Sequence, residues 1–223
     1  MSYSRFAVYY LPPDGPLSAF GAAWLGWDVA RGCAATQLNV PDLHDITMTP
    51  GKYGFHGTLK PPFRLSQGEG LAGLDAATAR IAASLVPTTC DGWELTTIGQ
   101  FLALTPKGDL KGLQHIAQTC VRELDHFRAP ATDNELARRR AAGLSARQET
   151  LLRQWGYPYV IEEFRFHLTL SGRLHKDDIP LWRDRVLAHL PDVSDAFVFD
   201  QIALCGERSD GCFELIHRYT LTG

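Results

Sequence analysis

Two six-residue segments, 54–59 and 165–170, carry one signature 111 residues apart. The first reads Gly54-Phe-His-Gly-Thr-Leu59 and the second Arg165-Phe-His-Leu-Thr-Leu170. In an extended strand alternate side chains share a face, so His56 and Thr58 project to one side and Phe55, Gly57 and Leu59 to the other. His167 and Thr169 likewise share a face opposite Phe166, Leu168 and Leu170. Two imidazoles and two hydroxyls lining one cleft would suit acid–base chemistry on a phosphate ester. One neutral imidazole takes a proton from water or a hydroxyl, and the other, protonated, gives one to the leaving oxygen. An ordinary pKa near neutrality equips imidazole for either task. The hydroxyls, about 7 Å further along each strand, can hydrogen-bond the non-bridging phosphate oxygens. Charge developing at phosphorus can be met by positioned donors and cations, so neither a metal nor another cofactor is expected.

A lone His-x-Thr would mean little. With eight histidines in the chain, composition alone gives roughly 0.6 chance occurrences of His-x-Thr and roughly 0.08 of His-x-Thr-Leu. Two matched copies, each preceded by Phe, exceed that background. The same alternation nominates cations: Lys60 follows Thr58, Arg165 precedes His167, and Arg173 follows if the strand continues through Gly172. Solvated strand ends are the plainer reading of all three. His44, His115, His126, His175, His189 and His217 lack metal-ligand spacing. His217 in the last strand is read as a partly exposed side chain rather than a cleft residue.

The elements that must position these groups follow from periodicity and breakers. Residues 6–11 read as a buried strand ended by Pro12-Pro13. Residues 17–27 have helical spacing, 33–50 read as a long loop, and 53–59 form the first motif strand, stopped by Pro61-Pro62. Residues 71–86 form an amphipathic helix, and 93–98 and 101–105 are strands meeting at Gly99. Residues 110–127 carry an apolar stripe of Leu113, Ile116, Cys120, Val121 and Leu124. An Arg-rich helical stretch, 133–155, breaks near Gly143. The second motif strand spans 164–170 and a helix spans 177–190, with Pro191 beyond its end. Strands 197–204 and 212–221 close the chain through a hairpin signal at Arg208-Ser-Asp-Gly.

The order strand, helix, motif strand, helix, strand therefore occurs twice. We read the chain as α+β: a single two-lobed domain, residues 1–98 and 99–223, from an internal duplication. Antiparallel sheets would line a central cleft with helices outside, and residues of about 130–156 would be an insertion in the second lobe. A pseudo-two-fold axis would bring the two motif strands together.

Composition sets the outer bounds. The chain has 223 residues, 45% of them hydrophobic and 21% charged, which is ordinary for a soluble globular protein. A net charge of −3 provides no global basic field for nucleic acid. Five cysteines without a Cys-x-x-Cys fit a reducing compartment. With no leader pattern and no membrane-length apolar run, the expectation is a cytoplasmic monomer with no membrane contact. Gly68-Glu-Gly-Leu-Ala-Gly73 imitates a dinucleotide fingerprint but lacks the strand immediately upstream; it reads as a flexible loop and helix start. No Gly-x-x-x-x-Gly-Lys-Ser/Thr loop is present, which weighs against a P-loop kinase. Arg138-Arg-Arg140 reads as a solvated helix face, with a phosphate-recognising lid as the alternative.

The paired His-x-Thr strands resemble those of the 2H phosphoesterase superfamily, which includes the LigT-like enzymes. More narrowly, Tyr53-Gly-Phe-His-Gly-Thr-Leu-Lys-Pro-Pro-Phe63, Phe164-Arg-Phe-His-Leu-Thr-Leu-Ser-Gly-Arg-Leu174 and Phe213-Glu-Leu-Ile-His-Arg-Tyr219 resemble the DUF1045 group. Tyr9-Tyr10-Leu-Pro-Pro and Trp24-Leu-Gly-Trp27 extend the likeness to nearly the whole chain. Gly57 stands where Ala is expected and Ser171 where Thr is expected. The resemblance implies a two-lobed fold, His56 and His167 as an acid–base pair, and Thr58 and Thr169 on phosphate. It implies a small, cyclic phosphodiester substrate, nucleotide- or phosphoribosyl-like, and a setting in phosphonate metabolism. The rival expectation is a module that binds a phosphate ligand or an RNA end in the same cleft without turnover.

Overall fold

A computed structural model describes residues 3–223. In chain order its elements are β1 (Phe6–Tyr10), α1 (Pro16–Leu25), β2 (Trp27–Asp28), β3 (Cys33–Ala34), α2 (Leu43–Gly51) and β4 (Gly57–Phe63). There follow α3 (Leu71–Ser84), β5 (Thr88–Cys90), β6 (Trp93–Ile98), β7 (Phe101–Pro106), α4 (Lys111–Glu123), α5 (Asp133–Arg140) and α6 (Ala146–Trp155). The chain continues with β8 (Leu168–Thr169), α7 (Ile179–Leu187), β9 (Phe197–Phe199), β10 (Gln201–Glu207) and β11 (Phe213–Thr220).

Seven strands make one antiparallel sheet in the order β11-β10-β1-β4-β8-β7-β6. The two motif strands, β4 and β8, are central neighbours. Exchanging β1 with β7, β4 with β8 and β6 with β10 returns the same order, with β11 as an added edge. Strands β5 and β9, which the same exchange swaps, pair with each other in a separate ribbon. The architecture is α+β, as the alternation of elements predicts, and the sheet is continuous from one edge to the other.

One sheet face is covered by helices. Val8, Tyr10, Leu59, Leu102, Leu104, Phe166, Leu168, Ile202 and Leu204 meet Trp24 of α1, Leu74 and Ile81 of α3, Ile116 of α4 and Trp182 of α7 in a single buried core. Its stabilisation scales with apolar area removed from water. The predicted stripe on α4 is buried in full. Trp24 Nε1 donates to the Leu170 carbonyl at 2.8 Å, tying α1 to the second motif. The opposite face carries Ala7, Tyr9, Leu11, Ala203, Cys205 and Phe213, packed with Trp27, Val29 and Tyr53. No helix among the described residues is long and apolar enough to cross a membrane.

Several expectations are corrected. Residues 33–50, expected as loop, contain β3 and most of α2. The buried residues of α2 are Leu43, Thr47, Pro50 and Gly51, a helical spacing that its threonines and proline obscure. Thr47 Oγ1 donates to the Leu43 carbonyl at 2.7 Å and accepts from Gln37 Nε2 at 2.8 Å. Strand β4 does not stop at Pro61-Pro62 but runs through them. The β1–β4 ladder shifts register twice, between Phe6↔Phe63, Val8↔Lys60 and Tyr9↔Thr58, and such bulges tolerate residues without an N–H. The second motif strand shrinks to Leu168–Thr169, because a helical turn at Ile161–Glu163 brings the chain onto the sheet late. The 133–155 stretch divides into α5 and α6 around Gly143, which has φ of 74°. Each half starts with its own capping box, Thr132 with Glu135 and Ser145 with Gln148.

Gly57 pairs with Leu168, and the Phe166 ring lies across it. A Cβ at Gly57 would stand 2.3 Å from Phe166 Cζ. That ring is hemmed in by Tyr10, Trp93 and Phe199. Gly57→Ala is therefore expected to lower stability by about 1–3 kcal/mol through overpacking. The measurement is the denaturant midpoint at unchanged m-value; an unchanged midpoint would show that the ring can move aside.

Candidate active site

The pairing of Gly57 with Leu168 fixes the positions around it. In an antiparallel register it sets Thr58 opposite His167 and His56 opposite Thr169. These four side chains occupy one patch of the face opposite the main core, and the two histidines lie on its diagonal. Diagonal neighbours across such a pair have Cα atoms about 7–8 Å apart. Tyr9 is opposite Thr58 on β1, and Ala103 is opposite Thr169 on β7.

Both imidazoles are held in the same way. His56 Nδ1 lies 2.9 Å from the Gly54 carbonyl oxygen, and His167 Nδ1 lies 2.7 Å from the Arg165 carbonyl oxygen. Each bond reaches back two residues. A carbonyl only accepts, so the Nδ1 atoms carry the protons, an assignment made from hydrogen bonding. In the neutral rings both Nε2 atoms therefore hold a lone pair. At His56 that lone pair accepts from Thr58 Oγ1 at 3.1 Å. Gly54 delivers its carbonyl from a left-handed conformation, φ 70°, where a Cβ would stand 2.5 Å from Val29 Cβ; only glycine meets both demands.

Burial disfavours the charged form of both rings. It brings the His56 pKa down to about 4; the bond to Gly54 opposes this and the neighbouring His167 adds to it. His167 is also lowered, by burial and by the Arg165 charge, against the bond to the Arg165 carbonyl. The Tyr9 ring stacks on His56 with centroids 3.9 Å apart. Tyr53 lies 6.2 Å from His56, and Phe101 lies 5.5 Å from His167. Tyr9 is fully buried, and its hydroxyl has no hydrogen-bond partner among the described residues. Burial holds the Tyr9 phenol far above its ordinary pKa, so it remains a donor. The patch thus offers two proton acceptors and two hydroxyls between aromatic walls.

Of the residues nominated from sequence, His56, Thr58, His167 and Thr169 come together. Arg165 is exposed beside His167. Lys60 does not join them. The bulge sets Lys60 opposite Val8, on the helix-covered face. Its side chain is 1% exposed; Nζ donates to the Val121 carbonyl at 3.0 Å and to Asp125 Oδ1 at 3.4 Å. Burial lowers its pKa to about 8. Arg173 also stands apart. Strand β8 ends at Thr169, Gly172 N–H turns to the Ile46 carbonyl, and Arg173 Nε donates to Gln100 Oε1 at 2.5 Å. His217 is exposed opposite Leu204, whose side chain belongs to the helix-side core. Tyr9, Tyr53 and Phe101 were not singled out from sequence. The alternation of β1 places Tyr9 opposite Val8 and Tyr10, but only the β1–β4 pairing reveals which face the histidines share.

The family model described as "Protein of unknown function (DUF1045)" matches residues 58–214. Over 183 residues the chain is 39% identical to ribose 1,5-bisphosphate phosphokinase PhnN of Janthinobacterium sp. (strain Marseille), covering 79% of this chain and 40% of that one. It is 34% identical over 203 residues to the protein of the same name from Laribacter hongkongensis (strain HLHK9), covering 83% of this chain and 44% of that one. The chain thus spans less than half the length of these relatives. Among solved structures it is similar to TT0787 of Thermus thermophilus, with a TM-score of 0.48, 15% identity and 98% of each chain covered. It is similar also to E. coli LigT complexed with 3'-AMP, with a TM-score of 0.48, 15% identity and all of each chain covered. The match to the family model covers more than two thirds of the sequence, and the chain belongs to the DUF1045 family.

Proposed function

We propose that the protein is a metal-independent phosphodiesterase that opens a small cyclic phosphodiester by acid–base catalysis between His56 and His167. The observation that carries this reading is the duplicated hydrogen bond. Each imidazole is pinned through Nδ1 to the carbonyl two residues before it, which directs both Nε2 atoms to one bound phosphate, with the Thr58 hydroxyl turning from His56 Nε2 to that phosphate as it binds. The resemblance to 2H phosphoesterases points the same way. It also supports a context in phosphonate metabolism and the reading of residues 1–98 and 99–223 as two related lobes, which the symmetric strand order favours. The relatives bear the name ribose 1,5-bisphosphate phosphokinase, and a phosphorylated ribose is the substrate class we adopt.

In the proposed reaction a water oxygen attacks phosphorus as His56 Nε2 takes its proton. The bond from phosphorus to one ester oxygen breaks, and that oxygen receives the proton from His167 Nε2. The product is a phosphomonoester with a free hydroxyl. Proton exchange with solvent returns each ring to its starting state. His56 is assigned as base because its pKa near 4 leaves it neutral at working pH. Thr58 and Thr169 hydroxyls meet the non-bridging oxygens, and Arg165 adds positive charge at the rim.

His56→Ala and His167→Ala are each expected to lower hydrolysis of a nucleoside 2',3'-cyclic phosphate or a phosphoribosyl cyclic phosphate by about 10²-fold or more with the fold intact. Full activity in either variant would remove the assignment. Binding without turnover in the unmodified protein would favour the binding-module reading instead.

The pKa directions set the pH profile. In free enzyme kcat/KM should rise as His56 loses its proton near pH 4 and fall as His167 loses its own below the ordinary 6.5. The optimum is therefore expected on the acid side of pH 6.5, and one at pH 8 would contradict the pairing. Stability follows the same groups. A lowered histidine pKa means that the unfolded chain binds more protons, so stability is full above pH 6.5 and is lost as pH falls towards 4. His56→Gln should flatten that decline in denaturant titrations.

A further inference from the structure

Beyond the histidines, at the far end of β4, a groove runs between that strand and the α5–α6 insertion. Arg5, Arg64, Arg128, Arg138 and Arg139 line it, with Glu135 as the one carboxylate in its wall. Arg5 pairs with Glu207, Arg64 with Glu135 at 3.1 Å, and Arg128 with Asp125 at 2.8 Å. Asp125 also receives Lys60 from behind. Four cations thus take up these three carboxylates. Arg138 and Arg139 have no carboxylate partner among the described residues, and the Arg139 guanidinium rests on the Tyr157 ring, 4.6 Å from its centroid. The outward arginines of the same insertion are different. Arg140 and Arg153 pair with Glu149, and Arg147 pairs with Glu162. Within the insertion, the two arginines left without a carboxylate are the two that line the groove. The excess is local, since the chain as a whole carries −3.

The groove connects to the histidines by an aromatic floor. The Arg5 guanidinium lies 5.7 Å from the Phe213 ring centroid. Phe213 lies 5.8 Å from Tyr9 and stacks on Tyr53 at 5.3 Å, and both tyrosines adjoin His56. Arg5, immediately before β1, is four residues from Tyr9, roughly 13 Å of extended chain.

We propose that this groove binds a second, non-reacting phosphate of the substrate, a phosphomonoester on the same sugar as the cyclic diester. Planar guanidinium forks suit phosphate oxygens in a bidentate fashion. Fixing the remote phosphate there orients the diester between the imidazoles, where binding energy from a non-reacting group serves the reaction. The inference rests on the phosphodiesterase reading for the identity of the reacting group, but the groove's affinity for a phosphomonoester can be measured independently.

The test has a binding arm and a turnover arm. In calorimetric titration, ribose 5-phosphate should bind the unmodified protein and His56→Ala equally. It should bind Arg138→Ala/Arg139→Ala at least tenfold more weakly, with affinity partly restored by Arg138→Lys/Arg139→Lys. In the turnover arm, the double alanine variant should lose at least tenfold more kcat/KM on a 5'-phosphorylated nucleoside 2',3'-cyclic phosphate than on its unphosphorylated counterpart. No binding to the unmodified protein, equal binding by the alanine variant, or loss of binding in His56→Ala would each overturn the proposal. Binding that follows the arginines while no cyclic diester is hydrolysed would retain the groove and reject only the diesterase reading.

Discussion

The pairing of Gly57 with Leu168 sets the spacing on which the site depends. It joins the two halves of the sheet and fixes which residues of one motif stand opposite which of the other. A slip of one residue would turn one motif's His and Thr into the helix-side core and bring Phe and Leu out to solvent. The gain of burying Phe166 and Leu168 on the helix side therefore favours this register. Phe166 fills the space over Gly57 that a side chain would otherwise occupy, so the glycine and the ring specify one another.

The same strands show how a sheet separates the groups of the proposed site from structural ones. Thr58 and Lys60 are two residues apart in one strand, yet the bulge at Leu59–Lys60 sends them to opposite faces. Lys60 becomes a buried cation held by a carbonyl near the end of α4 and by Asp125, beneath the groove rather than in the cleft. Through Asp125 it competes with Arg128 for one carboxylate. The electrostatics of the groove and of the core meet at that residue.

Much of this was legible in the sequence, and the remainder was hidden for identifiable reasons. Strand alternation sufficed for His56, Thr58, His167 and Thr169, although each histidine stands one residue before its strand, because the Gly57–Leu168 pairing keeps both motifs extended there. It failed at Lys60, since a bulge leaves no signature beyond the Pro61-Pro62 that follows. It failed at Arg173, since β8 ends three residues before Gly172. Helix α2 went unread because threonine and proline carry its buried face. Tyr9 and Phe213 join the site through strand pairings of long sequence separation, which local periodicity does not encode. The split of the Arg-rich stretch was readable from Gly143, but the difference between its paired and unpaired arginines appears only in three dimensions.

The order of the strands also governs when the site can exist. Strand β1 has β4 on one side and β10 on the other, so Tyr9 is flanked by Thr58 and by Ala203. Contacts that bridge nearly two hundred residues are slow to form, because a long loop must close before they repay its entropy. During synthesis β1 emerges before β10 and β11 and waits for them and for Phe213. Until then one edge of β1 is open and the floor beneath His56 is missing. The histidine cleft is thus assembled late, by the closing of the sheet, and a nascent chain that already contains both motifs does not yet have it.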